Sequence, residues 1–349
     1  MVGTLVGTSL SSGAKRFENQ SRDFYANGRY WVIYHNTYYG GYVYASSVDK
    51  VVWNFGTQLG PSGDYQWSTW FDGTYLHTLT LTNSKFYYRR GYPNSNGTFT
   101  WTTPSYVEIN TRNGHASTPY LRTDSNGYVW IGYFDWDDSG HGYAPWVIKS
   151  GTNDGTWGTT PSGFPYQLAT YYSGSSWGVV PNPLTNGKMC VVYARSMVHP
   201  MSKTWDGAQW LSEADVGMKI ANYYQVTSIP EGDYVHITYR DQDSFGSPPK
   251  YWISYTRYSY ATNSWGSPDR LVESTNTNDS SLLVFDQLAY PTKIYCFWIY
   301  QNHIYYKTKE FTGSWSSTVD LVDESAEGFL LTSLFQGYYK NYNARWNYG

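Results

Sequence analysis

The chain has 349 residues, of which 20% are aromatic and only 15% are charged, and it contains 17 Trp, 38 Tyr and 33 Gly. This composition is typical of short β-strands joined by tight turns, and no long amphipathic helix is visible in it. A net charge of -3 provides no basic field for phosphates, and no apolar run reaches the roughly 20 residues of a membrane span, so we expect neither a nucleic-acid partner nor membrane insertion.

In chain order, a unit of about fifty residues recurs. Its clearest copy runs from Phe71 to Trp101: a turn at Asp72-Gly73 precedes two extended runs, and an Asn/Gly-rich turn then leads to the tryptophan. Six runs that follow such turns are predicted strands: 29–35, 74–82, 128–136, 188–195, 233–240 and 293–301. The tryptophans that follow the later turn of each unit are Trp53, Trp101, Trp157, Trp210, Trp265 and Trp315.

Four strands per unit, here named A to D, predict an all-β fold: residues 1–349 as one closed β-propeller domain. We expect seven blades, because the amino-terminal run Val2–Leu10 supplies the D strand that the carboxy-terminal unit lacks, and this closure would remove exposed sheet edges. The alternative is six blades with the termini packed outside. Cys190 and Cys296 fall at equivalent places in B strands of non-adjacent units, so we expect both to be reduced core residues.

Polar and aromatic residues gather at the predicted B-C and D-A connections, and five of the seven histidines lie there. Flat aromatic rings pack against the C-H faces of a sugar, and fixed polar groups satisfy its hydroxyls, so these connections indicate a glycan or polysaccharide partner. The candidate ligand-binding residues are His35, Arg112, His115, Asp135, Trp136, Asp138, His141, Arg195, His199, Arg240, Asp241 and His303. His77 and His236, which occupy matching places inside B strands, are expected to be structural.

Three C-D turns, at Ser47–Trp53, Asn153–Trp157 and Asp206–Trp210, carry an aspartate followed by a tryptophan. This pattern resembles the Asp-box, or bacterial neuraminidase repeat, of the sialidase-like propellers. The resemblance implies that these turns stabilise the blades on the face away from the active site. It also implies that catalysis would need an arginine cluster, for which Arg112, Arg195 and Arg240 are candidates, and an acid drawn from Asp135, Asp137 and Asp138.

The segment Asn113–Pro119, with Asp124–Tyr128 after it, is similar to the Gly-His, Pro and Asp-Gly-Tyr segments of propeller polysaccharide lyases. That similarity implies a role for His115 as a base. His115, Arg195, Arg240 and Asp135 are therefore the candidate catalytic residues if the protein is an enzyme. No cofactor is expected; Asp135, Asp137 and Asp138 form the one cluster of carboxylates that suggests Ca²⁺.

These observations lead to one main hypothesis and two alternatives. The main hypothesis is a glycan-binding propeller, extracellular or on the surface of a cell or virion. The first alternative is a glycoside hydrolase or polysaccharide lyase of sialidase-like architecture. The second is a structural or adhesive protein of a virion or cell envelope.

Overall fold

The computed structural model describes residues 23–36, 38–61, 66–83, 85–111, 116–137, 142–171, 178–194, 200–217, 226–243, 250–274, 281–286, 292–300, 303–323, 334–335, 337–338 and 347–348. These residues are almost entirely β-strands and turns, as the composition indicates. They divide into two compact units, one made of residues 23–171 and 178–181 and the other beginning at residue 182.

The first unit contains three antiparallel sheets. Blade 1 consists of β1 (Asp23–Ala26), β2 (Arg29–Asn36), β3 (Gly41–Ser47) and β4 (Asn54–Gln58). Blade 2 consists of β5 (Trp67–Phe71), β6 (Leu76–Thr82), β7 (Lys85–Pro93), β8 (Phe99–Trp101) and β9 (Val107–Asn110). Blade 3 consists of β10 (Ala116–Thr123), β11 (Val129–Asp137), β12 (Gly142–Lys149) and β13 (Tyr166–Gln167). In each blade the strands pair in chain order, and β8 and β9 share β7 as their partner.

The second unit contains three further sheets of the same kind. Blade 4 consists of β14 (Val180–Pro183, which spans the unit boundary), β15 (Met189–Ala194), β16 (Pro200–Trp205) and β17 (Ala214–Asp215). Blade 5 consists of β18 (Val226–Glu231), β19 (Tyr234–Asp243), β20 (Lys250–Ser259), β21 (Ser264–Trp265) and β22 (Asp269–Ser274), with a 3-10 turn at Tyr260–Thr262. Blade 6 consists of β23 (Ser281–Asp286), β24 (Lys293–Tyr300), β25 (His303–Glu310) and β26 (Val319–Asp323).

The fold is an all-β propeller with six four-stranded blades, and in blades 2 and 5 the fourth strand is divided into two segments that pair with the same third strand. The alternative count is therefore correct and the expected seventh blade is wrong. Residues 2–10, which we expected to complete that blade, lie outside the described residues. The described part of the tail contains only three two-residue strands: β27 (Leu334–Phe335), β28 (Gly337–Tyr338) and β29 (Asn347–Tyr348). β27 pairs with β29. The six complete repeats in the sequence account for the six sheets, and an unassigned terminal run does not by itself indicate another blade.

At four of the C-D turns an aromatic residue contacts the preceding blade. In the first unit Phe99 lies edge-on to Tyr44 of blade 1, and Trp157 lies edge-on to Tyr88 of blade 2. In the second unit Trp315 contacts Tyr255 of blade 5 in the same way, while Trp265 donates from Nε1 to Ser202 Oγ of blade 4 at 2.9 Å. Three of the periodic tryptophans, Trp157, Trp265 and Trp315, therefore make contacts between blades.

Cations strengthen the same junctions. Arg90 of blade 2 donates to the backbone carbonyl oxygens of Asn153 and Asp154 in blade 3. Arg257 of blade 5 donates to the carbonyl oxygen of Phe311 in blade 6 at 3.3 Å. Because each guanidinium spans two sheets and satisfies turn carbonyls, this end of each junction is held by hydrogen bonds as well as by aromatic packing.

Cys190 and Cys296 are buried, free thiols in β15 and β24, which confirms the prediction that both are reduced core residues. Burial raises the pKa of the Cys190 thiol to about 12 and raises that of Cys296 as well. Both thiols therefore remain protonated and unreactive at neutral pH.

Candidate functional site

Six of the twelve candidate ligand-binding residues lie in the described part of the chain: His35, Asp135, Trp136, Arg240, Asp241 and His303. The other six, all expected in connections, lie outside the described residues: Arg112, His115, Asp138, His141, Arg195 and His199. The arginine cluster and the lyase-like base that the resemblances imply stay predictions, because Arg112, Arg195 and His115 belong to this second group.

The best-defined cluster lies in blade 5, near the end from which the B-C connection leaves. Asp241, close to the end of β19, has a side chain that is only 2% exposed, whereas the Arg270 side chain at the start of β22 is 40% exposed. Arg270 donates from Nε to Asp241 Oδ2 at 3.1 Å, and its Nη2 lies 3.1 Å from the same oxygen. A buried carboxylate therefore fixes the position of a half-exposed guanidinium.

Trp252 of β20 supplies the aromatic part of this cluster. It stands directly opposite Asp241 in the strand register, so the two side chains share one face of the sheet. The guanidinium of Arg270 lies 5.1 Å from the Trp252 ring centroid. Within the described part of the chain, the indole Nε1 is buried and makes no hydrogen bond. The Asp241–Arg270–Trp252 cluster thus combines an oriented cation, a carboxylate and a partly exposed ring.

Arg240 lies on the other face of the same strand, because successive side chains alternate. It is 1% exposed, and its guanidinium stacks on Tyr251 at 3.9 Å. Tyr239, which shares the face of Asp241, is fully buried, and burial together with the Asp241 charge raises the pKa of its hydroxyl. A nucleophilic tyrosinate at Tyr239 is disfavoured by both effects.

Asp135 and Trp136 occupy the corresponding end of blade 3. Asp135 is fully buried near the end of β11, and Trp136 is 37% exposed with its ring edge-on to Tyr143 at 4.8 Å. The register of the two blades matches: Trp136 pairs with Tyr143 as Gln242 pairs with Tyr251. Blade 3 therefore repeats the buried aspartate of blade 5, but Ala144 stands opposite Asp135 where blade 5 has a tryptophan.

His35 lies near the end of β2, at the end of the predicted run 29–35, and His303, which was expected in a B-C connection, lies in a strand. His35 is in β2 and is 3% exposed, and burial lowers the pKa of its imidazole. His303 begins β25, where its Nδ1 is 2.8 Å from Asp320 Oδ2 and its ring stacks on Tyr305.

His77 and His236 form matching buried arrangements at the other end of their blades. His77 is hydrogen-bonded through Nε2 to Asp72 and through Nδ1 to the Tyr88 hydroxyl, both at 2.9 Å. His236 has Glu231 Oε2 at 3.6 Å and the Tyr255 hydroxyl at 2.7 Å. In both blades an acid at or beside the A-B turn, a B-strand histidine and a C-strand tyrosine lie together. These buried contacts are consistent with the prediction that the two histidines are structural.

The aspartates of the C-D turns organise their own loops. Asp49 Oδ1 accepts from the backbone N-H groups of Val51 and Val52, and Asp206 Oδ1 accepts from those of Ala208 and Gln209. These bonds lower the pKa of both carboxyls. The prediction that the turns have a structural role is thus supported by their geometry.

In the part of the chain that the structure describes, no group of three or more His, Cys, Asp or Glu side chains is arranged to hold a metal ion. Of the three carboxylates that suggested Ca²⁺, only Asp135 is fully described, because Asp138 and the side chain of Asp137 lie outside the described residues. No helix among the described residues is long and apolar enough to cross a membrane.

Sequence reasoning identified Asp241 but missed Arg270 and Trp252. Both lie in C and D strands, away from the predicted connections, and they reach Asp241 only through strand register. A usable signal was present: the run Lys250-Tyr251-Trp252 places two aromatic residues and a cation directly after the B-C connection.

Comparison with known proteins gives a structural likeness without a sequence relationship. No family model matches the chain, and no curated protein matches it. The Asp-box resemblance therefore has no support from a family model and stays a prediction.

Several solved structures are similar over most of the chain. A triple arginine-to-alanine mutant of AofleA from Arthrobotrys oligospora is 9% identical, with a TM-score of 0.52 over 90% of this chain and 89% of that one. The SapL1 lectin in complex with alpha methyl fucoside is 12% identical, with a TM-score of 0.47 over 89% and 98%. The polysaccharide lyase Uly1 is 9% identical, with a TM-score of 0.48 over 92% and 83%. At such identities, the likeness concerns the fold alone.

Proposed function

We propose that the protein is a carbohydrate-binding propeller and that blade 5 carries a sugar site at the Asp241–Arg270–Trp252 cluster. The observation that supports this function is the guanidinium of Arg270, held by the buried carboxylate of Asp241 and placed beside a partly exposed indole. A sugar presents both hydroxyls and apolar C-H faces, and such a cluster meets both needs.

The hydrogen-bonding capacity of Arg270 supports this assignment. Its contacts with described residues use Nε and Nη2, which leaves the Nη1 donors for ligand oxygens. The guanidinium of Arg270 is held in place because the Asp241 carboxylate that binds it is buried and has little freedom to move. A preorganised donor loses little conformational entropy on binding, which favours affinity for a small polar ligand.

Binding is favoured over glycoside hydrolysis at this cluster. Hydrolysis by a retaining mechanism needs two carboxyl groups about 5 Å apart or a tyrosine nucleophile with a carboxylate. The tyrosine nearest to Asp241 in the strand, Tyr239, is fully buried with a raised pKa, and Asp241 is already engaged by Arg270. The cluster therefore has the parts for recognition, whereas its nearest tyrosine is buried with a raised pKa and its carboxylate is held by Arg270.

The test is a glycan array followed by calorimetric titration of the best ligand. Arg270→Met and Trp252→Ala should each weaken binding by about tenfold or more, since each removes one half of the site. Arg89→Met is a matched control, because Arg89 stacks on Trp101 at 4.2 Å in blade 2 and lies outside the site. Release of reducing ends or unsaturated sugars during incubation would favour an enzyme, and unchanged binding by both site variants would refute this site.

A protein with this function acts where glycans are displayed, so an extracellular or surface location belongs to the same proposal. Surface labelling of intact source cells or particles with an antibody against the protein would check it. Signal found only after permeabilisation would contradict the proposed location without bearing on sugar binding.

A further inference from the structure

Four charged side chains surround Trp252 in blade 5. Asp241 of β19 and Glu273 of β22 each stand directly opposite Trp252 in the strand register, one on either side of it. Residues opposite one another share a face of the sheet, and so does Lys250, which lies two residues before Trp252 in β20. The guanidinium of Arg270 lies 5.1 Å from the ring centroid. The indole is thus flanked by a carboxylate on each neighbouring strand, with two cations on the same face.

These charges form two ion pairs that differ in exposure. Arg270 is bound to a carboxylate that is buried, whereas Lys250 is bound to one that is not: its Nζ lies 3.1 Å from Glu273 Oε1 and 3.5 Å from Oε2. The Lys250 and Glu273 side chains are 59% and 43% exposed. Such an exposed pair contributes little to stability, because solvent screens the attraction and holding two long side chains in one geometry costs conformational entropy. Glu273 can therefore exchange Lys250 for a donor on a ligand.

The two cations and two carboxylates sum to zero charge, and this balance decides which ligands suit the site. A sugar carboxylate at Trp252 would be attracted by the cations, but it would be repelled by Asp241 and Glu273 on the two flanking strands. It would also lose its hydration, which is costly for an ionised group. A sugar hydroxyl loses less on desolvation. It can both donate and accept, so it forms charge-assisted hydrogen bonds with either kind of partner.

We propose that the blade 5 site selects neutral sugars and that Glu273 is its specificity-determining residue. One ring hydroxyl donates to the Glu273 carboxylate, a second accepts from Arg270, and a C-H face of the sugar packs on Trp252. Sialic and uronic acids are disfavoured by the carboxylates on both sides of the ring. This inference rests on the sugar-binding function proposed above and names the ligand class of that same site.

Blade 2 provides an internal comparison. Lys85, at the start of β7, is paired with Glu108, both side chains are half-exposed, and Tyr87 stands opposite Glu108 in the register. Blade 5 has the same arrangement of an exposed ion pair and an aromatic residue. On the other side of Tyr87, however, blade 2 has Thr80 where blade 5 has the buried aspartate. Glu108 is therefore a matched control for Glu273, in a blade that lacks the buried carboxylate.

A glycan array that carries neutral, sialylated and uronic-acid glycans tests the ligand class. Among glycans that differ only by a hydroxymethyl group or the corresponding carboxylate, the neutral form should bind about tenfold or more tightly in titration. Its affinity should change less than about twofold between roughly 50 and 500 mM NaCl, because the site has no net charge for salt to screen. A preference for acidic glycans that Arg270→Met abolishes would overturn this inference and leave the sugar site in place. Absence of all glycan binding would refute the proposed function and this inference with it.

Glu273→Gln tests the residue itself. The amide keeps the size of the side chain but leaves the cluster with a net positive charge, so the ratio of neutral to acidic affinity should fall about tenfold or more. A merely structural role for Glu273 would not move this ratio. Glu108→Gln should leave both affinities unchanged. An unaltered ratio in a Glu273→Gln chain that circular dichroism shows to be folded would overturn the assignment, while the effect of Arg270→Met would still judge the proposed function separately.

Discussion

Arg270 and Asp241 come from different strands of blade 5 and meet through Nε and Oδ2 at 3.1 Å, with the carboxylate buried and the guanidinium half-exposed. The buried carboxylate of Asp241 therefore keeps the guanidinium of Arg270 in place. In the proposed site, the half-exposed guanidinium donates to the ligand. Loss of the carboxylate should therefore affect ligand affinity even though Asp241 itself is buried.

The first prediction concerns Asp241→Asn. The amide removes the charge that fixes Arg270, so we expect the affinity for the best array glycan to fall about tenfold, a loss of about 1.4 kcal/mol. Calorimetric titration measures the change. Asp206→Asn, which alters an exposed turn of blade 4, is the control and should bind normally. Full affinity in Asp241→Asn would show that the orientation of Arg270 does not matter.

The second prediction concerns acid stability. Burial lowers the pKa of His236, Arg257 and Lys309 lower it further, and Glu231 opposes the shift. A lowered pKa means that the folded state resists protonation, so this stability is present above the unfolded pKa of about 6.5 and is lost as the pH falls below it. Melting temperatures between pH 7.5 and 5 should fall, and His236→Gln should reduce the slope. An equal slope in that variant would assign the acid sensitivity to other groups.

The third prediction concerns the Asp72–His77–Tyr88 arrangement. Tyr88→Phe removes the hydroxyl that is 2.9 Å from His77 Nδ1 and leaves a buried nitrogen without its partner. We expect the free energy of unfolding to fall by about 1–3 kcal/mol, measured by urea titration. Tyr92→Phe, at a residue that is 39% exposed in the same strand, should change it by less than about 0.5 kcal/mol. Equal effects of the two substitutions would contradict a structural role for the triad.

The fourth prediction concerns Gly132 in β11. A Cβ at this position would lie 2.1 Å from the backbone oxygen of Val179, so Gly132→Ala must displace main chain and should destabilise the fold by about 3 kcal/mol or more. Gly266→Ala is the control, because a Cβ there would lie 3.6 Å from the backbone oxygen of Arg257, an ordinary contact distance. Thermal melts of both variants compare them. A wild-type melting temperature for Gly132→Ala would mean that β11 and Val179 do not approach so closely.

Much of the fold could be predicted because its signals are local. The turns at Asn27-Gly28 and Asn186-Gly187 lie at positive φ, a backbone conformation that Asn and Gly favour, and each precedes a strand with a buried face. Such short-range signals identify strands one at a time. They do not determine how terminal fragments combine, which is why the seventh blade was expected and six blades were found.

The candidate site was predicted only in part, for a related reason. Asp241 comes directly after the predicted strand 233–240, so the order of residues marks it as a candidate, although β19 extends past it to Asp243. Trp252 and Arg270 lie in separate strands, and their approach to Asp241 depends on register, including an irregularity between Ile253 and Ser254. A shift of one residue would turn every side chain to the other face.

The sequence by itself determined the repeated strands, their turns and the aromatic residues that separate one blade from the next, because turn chemistry and alternation act over a few residues. Only the tertiary structure decided which side chains meet: Arg270 with Asp241, Tyr88 with His77, and Lys250 with Glu273. These relationships depend on strand register and on packing between blades, which are set by contacts between residues far apart in the chain.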